Sequence, residues 1–341
     1  MCITEENILK LKQIFICVLA LLLALSVFTA CKEKEGAEDT EETAAKFYTV
    51  TFVSTGGTEV EPKLVKEGTT VTEPDAPEKE GWIFMGWYNG KFKWSFSEKV
   101  YEDMTLTAKW SNPENLYEHT PAEDGNSTVI TGLKQKEGEL RLPSEMGGYK
   151  VTAIGDGVFS GLSSENVYSI ILPESITVIG NEAFSGCADI SITVEGKLTQ
   201  VGEKAFLGCT GLTEISFAEG IESISAEAFV SSGIRTVSLP KSLKVVDENA
   251  FDDCQSLEAV FMYDSIEAVN DSAFYGAPVK AIYFYGSEEN IDALLEDRVL
   301  SRNDSILGAR KYIYSETKPA ETTDLDGYWY FDTNGKIRLW K

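Results

Sequence analysis

The residues that could support catalysis are few in this 341-residue chain, which has a single histidine, His119, in the segment LYEHTPAED. No nucleophile elbow, phosphate-binding glycine loop or metal-ligand spacing accompanies it. Paired carboxylates such as Asp252-Asp253 and Glu288-Glu289 are the groups that glycosidases use, but we interpret them as parts of an acidic, solvated surface. We therefore predict no enzyme activity, no cofactor and no metal site, and we expect His119 to be a solvated loop residue.

Three cysteines, Cys187, Cys209 and Cys254, each stand three residues after a phenylalanine of a repeated pattern. Small buried thiols are the first interpretation of this column. A Cys187–Cys209 disulfide between adjacent repeats is the alternative in an exported protein. Zinc is disfavoured because closely spaced cysteine pairs with histidine are missing.

The amino terminus has the pattern of an export signal, since Lys10 and Lys12 precede an uncharged run from Ile14 to Ala30. The segment VFTAC, ending at Cys31, resembles the lipobox of bacterial lipoproteins, although Phe28 stands where Leu, Val or Ile is usual. The resemblance implies a signal peptide over residues 1–30 and a lipid anchor on Cys31. An uncleaved membrane anchor is the alternative. Residues 31–46 are expected to be a flexible acidic tether, and the rest to lie at the extracellular face of the bacterial envelope.

The net charge of −25, with 43% hydrophobic residues, predicts two or three folded units with a strongly acidic surface. Phosphate groups repel such a surface, because nucleic-acid affinity depends on Lys and Arg. DNA, RNA and anionic lipid headgroups are therefore excluded as main ligands.

Residues 47–110 are predicted to form short strands, since FYTVTFV and TLTAKW alternate and Gly56-Gly57 marks a turn. The unit resembles the Listeria-Bacteroides repeat, also called the internalin B-repeat, with Trp82 in place of the usual Tyr. The matching residues are Gly57, Gly81, Gly86, Trp87, Ala108 and Trp110. This resemblance implies a small, non-catalytic, β-grasp-like domain of exported bacterial surface proteins. Stacking of a sugar on its tryptophans is the less favoured reading, because such rings usually form the core.

Six phenylalanines recur with spacings of 25, 22, 23, 22 and 23 residues, which is the pattern of stacked repeats. They are Phe159, Phe184, Phe206, Phe229, Phe251 and Phe274. Apolar residues stand eight and five positions before each one, and alanine directly before five of them. The column four residues before, which begins Gly155, Gly180 and Gly202, is predicted to be a turn, because most of its residues tolerate positive φ or cap a turn with a short side chain. Pairs fourteen and twelve before, such as Ile215 and Phe217, predict a strand with one face inward.

The segments LPESITVIGNEAFSGC and LPKSLKVVDENAFDDC resemble the BspA-type, or treponemal, leucine-rich repeat. The resemblance runs over about residues 115–315, with a capping first repeat, and implies a β-rich solenoid and a role in adhesion. The overall prediction is a mainly β chain, in which a β-grasp-like domain precedes the leucine-rich-repeat solenoid and a β-hairpin cap at residues 316–341 follows it.

The outward strand positions become aromatic near the end of the array, at Phe261, Tyr263, Tyr283 and Tyr285. We call these four residues the aromatic patch, and we predict that it is exposed and binds a partner. The final segment, with Asn334-Gly335 between two alternating runs, predicts a hairpin that could instead cover the patch.

These features predict a non-catalytic surface lipoprotein that binds or adheres to a protein or glycan through the exposed strand face of the solenoid. A structural spacer of the cell envelope is one alternative. Cell-wall-polymer binding through the aromatic hairpin GYWYFDTNG, which resembles one choline-binding or wall-binding repeat, is another. A hydrolase with an unrecognised site is the third.

Overall fold

The computed structural model describes residues 45–319 and 327–340. The chain divides into two compact units, Met1–Lys46 and Phe47–Lys341, and the described strands and helices all belong to the second. The signal peptide, Cys31 and nearly all of the tether lie outside the described residues, so those expectations stay predictions. Among the described residues, no helix has the length and apolar character needed to cross a bilayer.

A five-stranded sheet, the N-terminal sheet, begins the described fold in the order β2-β1-β5-β3-β4. Its strands are β1 (Phe47–Val53), β2 (Lys63–Lys66), β3 (Ile83–Asn89), β4 (Phe92–Lys93) and β5 (Met104–Ser111). The pair β1 and β5 is parallel and the other neighbours are antiparallel. Alternate residues such as Val50 and Leu106 pack around the buried Trp87, as the alternating pattern predicts.

One glycine of this sheet region is fixed by close packing. A Cβ atom on Gly57 would lie 2.5 Å from the ring of Trp110, so a larger residue cannot be accommodated there without movement. Residues 47–111 form a mixed sheet without a helix. The β-grasp-like topology therefore stays a prediction, whereas the β-strand content is observed.

The repeat array begins after a 3-10 turn at Pro113–Asn115. Its first strands are β6 (Tyr117–Pro121), β7 (Ser127–Leu133), β8 (Gly138–Arg141), β9 (Glu145–Met146) and β10 (Tyr149–Ile154). Strand β6 pairs antiparallel with β7, which is parallel to β10. The antiparallel β6 thereby ends this row of parallel strands, as a capping first repeat would.

Most of the later repeats contribute strands to two sides of the array, and we call one such turn of the chain a rung. The longer strands are β11 (Val167–Leu172), β13 (Ser191–Val194), β16 (Thr236–Ser238), β18 (Ala259–Tyr263) and β20 (Ala281–Tyr285). The short strands are β12 (Val178–Ile179), β14 (Gln200–Val201), β15 (Ser223–Ile224), β17 (Val245–Val246) and β19 (Ala268–Val269). Neighbouring rungs pair in parallel, which confirms a leucine-rich-repeat solenoid.

The six phenylalanines stack face to face through the core. Consecutive ring centroids lie 5.0–5.5 Å apart with interplanar angles of 10° or less, and every ring has 0% exposure. The backbone N–H of each of the first five phenylalanines donates to the carbonyl of the alanine before the next one, as between Phe184 and Ala205 at 2.8 Å. The N–H of the sixth, Phe274, donates to the Asn303 side-chain oxygen. Ring stacking and backbone hydrogen bonds thus hold the same spacing between rungs.

The column predicted to be a turn stands directly before the turn of each rung. Positive φ occurs two residues before and two residues after each phenylalanine, as at Glu182 and Gly186, and not four residues before. In the rung of Phe184, glycine is needed at this column because the backbone of the preceding rung lies too close for a side chain. A Cβ on Gly180 would lie 2.5 Å from an Asp156 oxygen and 2.7 Å from the carbonyl carbon of Gly155. In a later rung the same column carries Ser225, whose hydroxyl donates to the Val201 carbonyl at 2.7 Å.

The strand prediction was wrong for Ile215 and Phe217. In the described residues, strand pairing stops on both sides of the array between the rungs of Phe206 and Phe229. Phe217 makes only an isolated bridge to Leu198, and its ring lies edge-on to Phe229 with centroids 6.1 Å apart. The phenylalanine stack continues across this discontinuity.

Two helices and a hairpin follow the last phenylalanine rung. They comprise α1 (Glu288–Asp297), α2 (Asp304–Leu307), β21 (Arg310–Tyr314), β22 (Gly327–Phe331) and β23 (Ile337–Leu339). Ser287 caps α1 by accepting a hydrogen bond from the Asn290 N–H at 3.2 Å. Strands β22 and β23 form the hairpin predicted at Asn334-Gly335, and β22 extends the sheet by pairing in parallel with β21.

We predict that Phe206→Ala lowers the free energy of unfolding by about 3–5 kcal/mol, because the ring is fully buried between two stacked neighbours. Urea unfolding of the full-length protein measures the change. Phe92→Ala is the control, since that ring is 80% exposed and its loss is expected to cost less than about 0.5 kcal/mol. Equal effects of the two substitutions would contradict the stacking role.

Candidate binding surface

Two aromatic rows cross the outward face of the sheet formed by β18, β20 and β21. Phe261 stacks on Tyr283 with ring centroids 4.5 Å apart, and Tyr263 stacks on Tyr285 at 4.3 Å. The parallel register pairs Phe261 with Tyr283 and Tyr263 with Tyr285, which places like positions of successive strands side by side. The structure therefore brings together all four residues of the aromatic patch.

Both rows extend one strand further than the sequence analysis proposed. Tyr312 lies 5.5 Å from Tyr283, and Tyr314 lies 5.0 Å from Tyr285, measured between ring centroids. The signal for these two residues was present in the sequence, because the segment KYIY has the same alternation of aromatic and other residues as the preceding strands.

Trp329, on the hairpin strand β22, packs against the rows and is fully buried. Its ring meets Phe261 and Tyr283 at 5.5 Å and Tyr285 at 4.9 Å, edge-on in each case. The indole N–H has no hydrogen-bond partner among the described residues. The hairpin thus covers part of the aromatic patch, which was the alternative that the sequence left open.

Exposure differs across the patch. Phe261 is 7% exposed, so its predicted exposure was wrong; the ring is buried because Tyr283 and Trp329 flank it. Tyr263, Tyr283 and Tyr285 are half-buried. Burial raises the pKa of all three phenols, with Glu219 adding to the rise at Tyr263 and Tyr312 at Tyr283. Tyrosine hydroxyls are protonated at neutral pH even at their ordinary pKa, so these three keep both donor and acceptor capacity.

The hairpin has a second aromatic pair on its own strands. Tyr330 stacks on Trp340 with centroids 4.0 Å apart, and the Trp340 indole N–H donates to the Ser315 carbonyl at 3.0 Å. Asp332 holds the turn, and its pKa is lowered mainly by the Lys336 N–H and also by Arg338. These contacts tie the hairpin to the end of β21.

The three cysteines of the repeat column are buried free thiols, so the disulfide alternative for Cys187 and Cys209 is not formed. Each Sγ donates to the carbonyl of a phenylalanine in the preceding rung, at 3.0–3.1 Å. Burial raises the pKa of Cys187 and Cys254 to about 11 and also raises that of Cys209. These thiols fill space and satisfy carbonyl groups.

His119 lies in strand β6, so its expected place in a solvated loop was wrong. Its side chain is 20% exposed, with Nδ1 2.9 Å from the Thr128 hydroxyl and Nε2 3.1 Å from a Glu114 carboxylate oxygen. These bonds join the strand to its neighbour and to the preceding turn. In the described ranges, no three His, Cys, Asp or Glu side chains are grouped so as to hold a metal ion.

The carboxylate pairs stay apart from any converging site in the described structure. Burial raises the pKa of Asp252, and the charge of Asp253 adds to the rise. Asp253 accepts hydrogen bonds from Ser231 of the preceding rung and from Gln255. Glu288 and Glu289 occupy the first turn of α1, where carboxylates stabilise the helix. Asp253, Glu288 and Glu289 thus have structural explanations.

Comparison with known families agrees with both resemblances. The family described as BspA type leucine rich repeat region matches in six copies over residues 144–258 and 189–295. The Listeria-Bacteroides repeat domain matches residues 48–109. The chain therefore carries both kinds of repeat, and its mainly β, leucine-rich-repeat class is confirmed. The matched repeat type suggests a role in binding or adhesion.

Two curated relatives come from Evansella cellulosilytica and are named "Putative Gly-rich membrane protein" and "Putative membrane protein". They are 43% identical over 86 residues and 46% identical over 109 residues, which is 24% and 28% of this chain. The alignments cover 10% and 16% of those proteins, so this chain spans less than a fifth of their length.

Among solved structures, a leucine rich cell surface protein from Faecalibacterium prausnitzii is 23% identical, with a TM-score of 0.44 over 66% of this chain and 59% of that one. A leucine rich repeat protein from T. pallidum is 22% identical, with a TM-score of 0.34 over 51% and 71%. Both TM-scores are below 0.5, and we draw no functional conclusion from them.

We predict that Trp329→Ala destabilises the array by about 3–5 kcal/mol, since it removes a fully buried indole with five aromatic neighbours. Urea unfolding of the full-length protein provides the measurement. Tyr275→Ala is the matched control, because Tyr275 is 55% exposed. A Trp329 variant as stable as this control would show that the hairpin does not support the sheet.

A second prediction concerns the thiols. Iodoacetamide at pH 8 should leave Cys187, Cys209 and Cys254 unmodified in the native protein and modify them in urea, as read by peptide mass spectrometry. The reason is that burial both shields the sulfurs and disfavours the thiolate. Because folding raises these pKa values, the associated stability is present below the ordinary thiol pKa and falls as pH rises above it. Rapid native labelling would contradict the buried placement.

Proposed function

We propose that this chain is a non-catalytic binding or adhesion protein of the bacterial cell surface. It contacts a protein or glycan through the outward strand face of its repeat array. The observation that carries the proposal is the pair of aromatic rows on β18, β20 and β21, in which Tyr263, Tyr283 and Tyr285 remain half-exposed.

The tyrosines fit a contact surface better than a purely structural one. A rigid ring with a polar hydroxyl gives a large contact area at low entropic cost, which is why tyrosine is enriched at interfaces. Here Phe261 and Trp329 support the rings of Tyr283 and Tyr285 from within the cluster, and Tyr263 stacks on Tyr285. We therefore assign Tyr263, Tyr283 and Tyr285 as contact residues and Phe261 as a residue that positions them.

The same face becomes polar toward the amino-terminal rungs. Thr193 and Ser238 are exposed there, and small hydroxyl side chains leave the surface flat enough for a partner to approach. The net charge of −25 repels phosphate-rich ligands. A protein or glycan partner is therefore favoured over a nucleic acid.

Membrane attachment is proposed from the amino-terminal sequence, with Cys31 as the site of lipidation. The names of the two Evansella relatives agree with a membrane location, although this chain spans only a small part of those proteins. Only the amino-terminal anchor would then touch the lipid, leaving the repeat array exposed at the cell surface.

A spacer of the cell envelope is the second candidate, and the complete burial of Trp329 favours it. In that case the aromatic rows would serve to close the end of the array. The two functions differ in one respect, because a spacer needs no exposed tyrosine edge.

The test is a binding screen of the full-length protein, in detergent micelles at physiological salt, against fibronectin, collagen, laminin and mucin-type glycans. We expect Tyr263→Ala to weaken binding to the recognised probe by about tenfold, the effect of losing one interface anchor. Tyr263 is suited to this test because its ring contact is with Tyr285 and not with Trp329.

Tyr275→Ala is the control, since this exposed tyrosine lies in a turn outside the strand face. Equal affinity of the Tyr263 variant and the wild type would contradict binding at the patch. Failure of the wild type to bind any of the probes would favour the spacer.

A further inference from the structure

A separate cleft lies between the N-terminal sheet and the first rungs of the array, with a cavity volume of about 930 Å³. Its walls are the segment before β3 on one side and the chain following β8, β11 and β13 on the other. Ile83, next to the cleft, packs in the same buried cluster as Leu142 of the array. The two walls therefore share core contacts, and the volume is in the range of ligand sites between domains.

The lining of this cleft has an excess of negative charge. The lining contains five glutamates and only two basic residues, Lys79 and Arg141. The glutamates are Glu78, Glu80, Glu145, Glu174 and Glu195. We call this site the acidic cleft. None of the five forms an ion pair within the described ranges.

The two basic residues are already engaged elsewhere. The Lys79 ammonium donates to the Thr55 carbonyl at 3.1 Å, and the Arg141 Nε pairs with Glu139 at 2.6 Å. Neither forms an ion pair with a cleft glutamate. Lys79 keeps its own charge, but five glutamates against two basic residues leave the lining net negative. The uncompensated carboxylates therefore favour a cationic ligand over a neutral or anionic one.

Trp82 supplies the aromatic wall of the cleft and is 45% exposed. The Lys79 ammonium lies 4.8 Å from the centre of the Trp82 ring and 5.6 Å from that of Trp110. The protein thus already places a cation over this indole. The exposed part of the ring is available for a second cationic side chain, since the face of an indole attracts ammonium and guanidinium groups.

Like Ser265 at the same position of a later rung, Ser175 is a buried polar group that has no partner in the described structure. It lines the cleft and is 9% exposed, and its hydroxyl has no hydrogen-bond partner in the described structure. A buried hydroxyl without a partner is costly unless something else satisfies it. It follows directly after Glu174, so a ligand held by that carboxylate would approach the same point of the chain.

We propose that the acidic cleft binds an extended basic segment of a partner polypeptide. A lysine or arginine of the segment lies over Trp82, and neighbouring basic side chains pair with Glu174 and Glu195, which stand just after β11 and β13 on adjacent rungs. This site is distinct from the aromatic patch and does not depend on the function proposed for it.

The experiment measures fluorescence anisotropy of fluorescein-labelled peptides with the full-length protein in 150 mM NaCl. The probe is (Lys-Gly)₄, and (Gln-Gly)₄ is the neutral comparison. We expect the lysine peptide to bind and the glutamine peptide to bind at least about tenfold more weakly. Trp82→Ala should weaken lysine-peptide binding about threefold or more, as expected for a lost cation–π contact.

The double variant Glu174→Gln/Glu195→Gln should weaken the same binding by about threefold to tenfold, through loss of two exposed ion pairs. Its control is Glu165→Gln/Glu222→Gln, which makes the same change in net charge at two exposed glutamates outside the cleft. Circular dichroism melting verifies the fold of each variant. Should Trp82→Ala melt early, Trp82→Phe replaces it, because phenylalanine keeps the shape of the wall but attracts a cation less.

Equal weakening by the two double variants would show that the peptide responds only to total charge, and the proposal would be wrong. Binding of both peptides with equal affinity would also overturn it. Binding of neutral mucin-type glycans in the cleft would overturn it as well. Such binding would be seen as glycan affinity that Trp82→Ala reduces and Glu174→Gln/Glu195→Gln leaves unchanged. Loss of lysine-peptide affinity in both cleft variants, with the control pair unchanged, supports it.

Discussion

The contact between successive phenylalanines, together with the backbone hydrogen bond beside it, is the constraint on which the repeat array depends. Ring centroids 5.0–5.5 Å apart fit the separation that paired backbone segments need. Where strand pairing stops between the rungs of Phe206 and Phe229, the Phe206 N–H still donates to Ala228 at 2.8 Å. The stack therefore holds the rungs in order even where the sheets do not.

This spacing also explains the small residues around each phenylalanine. Fully buried alanines such as Ala183 and Ala205 leave room for the carbonyl that the neighbouring ring residue needs. The thiol of Cys209 satisfies the Phe184 carbonyl from the next rung while adding little volume. Gly180 approaches the backbone of the preceding rung too closely for any Cβ. The distance between rungs, and not only the local turn conformation, therefore limits which residue types fit at each repeat position.

The sequence predicted the structure well at positions where the same type of side chain has the same role in every rung. The phenylalanine, alanine and aliphatic columns predicted the core correctly because burial requires the same residue types in every rung. The sequence did not predict which residues have positive φ. Glu182 and Lys204 adopt that conformation although neither is a glycine. The burial of Phe261 depends on Trp329, which is 68 residues away in the chain, and the strand position of His119 depends on pairing with β7. Contacts between distant segments leave no periodic pattern to read.

The two proposed surfaces differ in the physics of recognition, although the same array supports both. The aromatic patch consists of rings and hydroxyls that are neutral at physiological pH, so contacts there change little with salt. In the acidic cleft the exposed carboxylates of Glu174 and Glu195 attract over a distance, and ions at physiological strength screen that attraction beyond about 8 Å. A basic segment would therefore be drawn to the cleft at low salt, whereas the patch selects by shape at any salt. Because the phenylalanine stack fixes the rungs between them, a partner that engages both must match their separation as well as their chemistry.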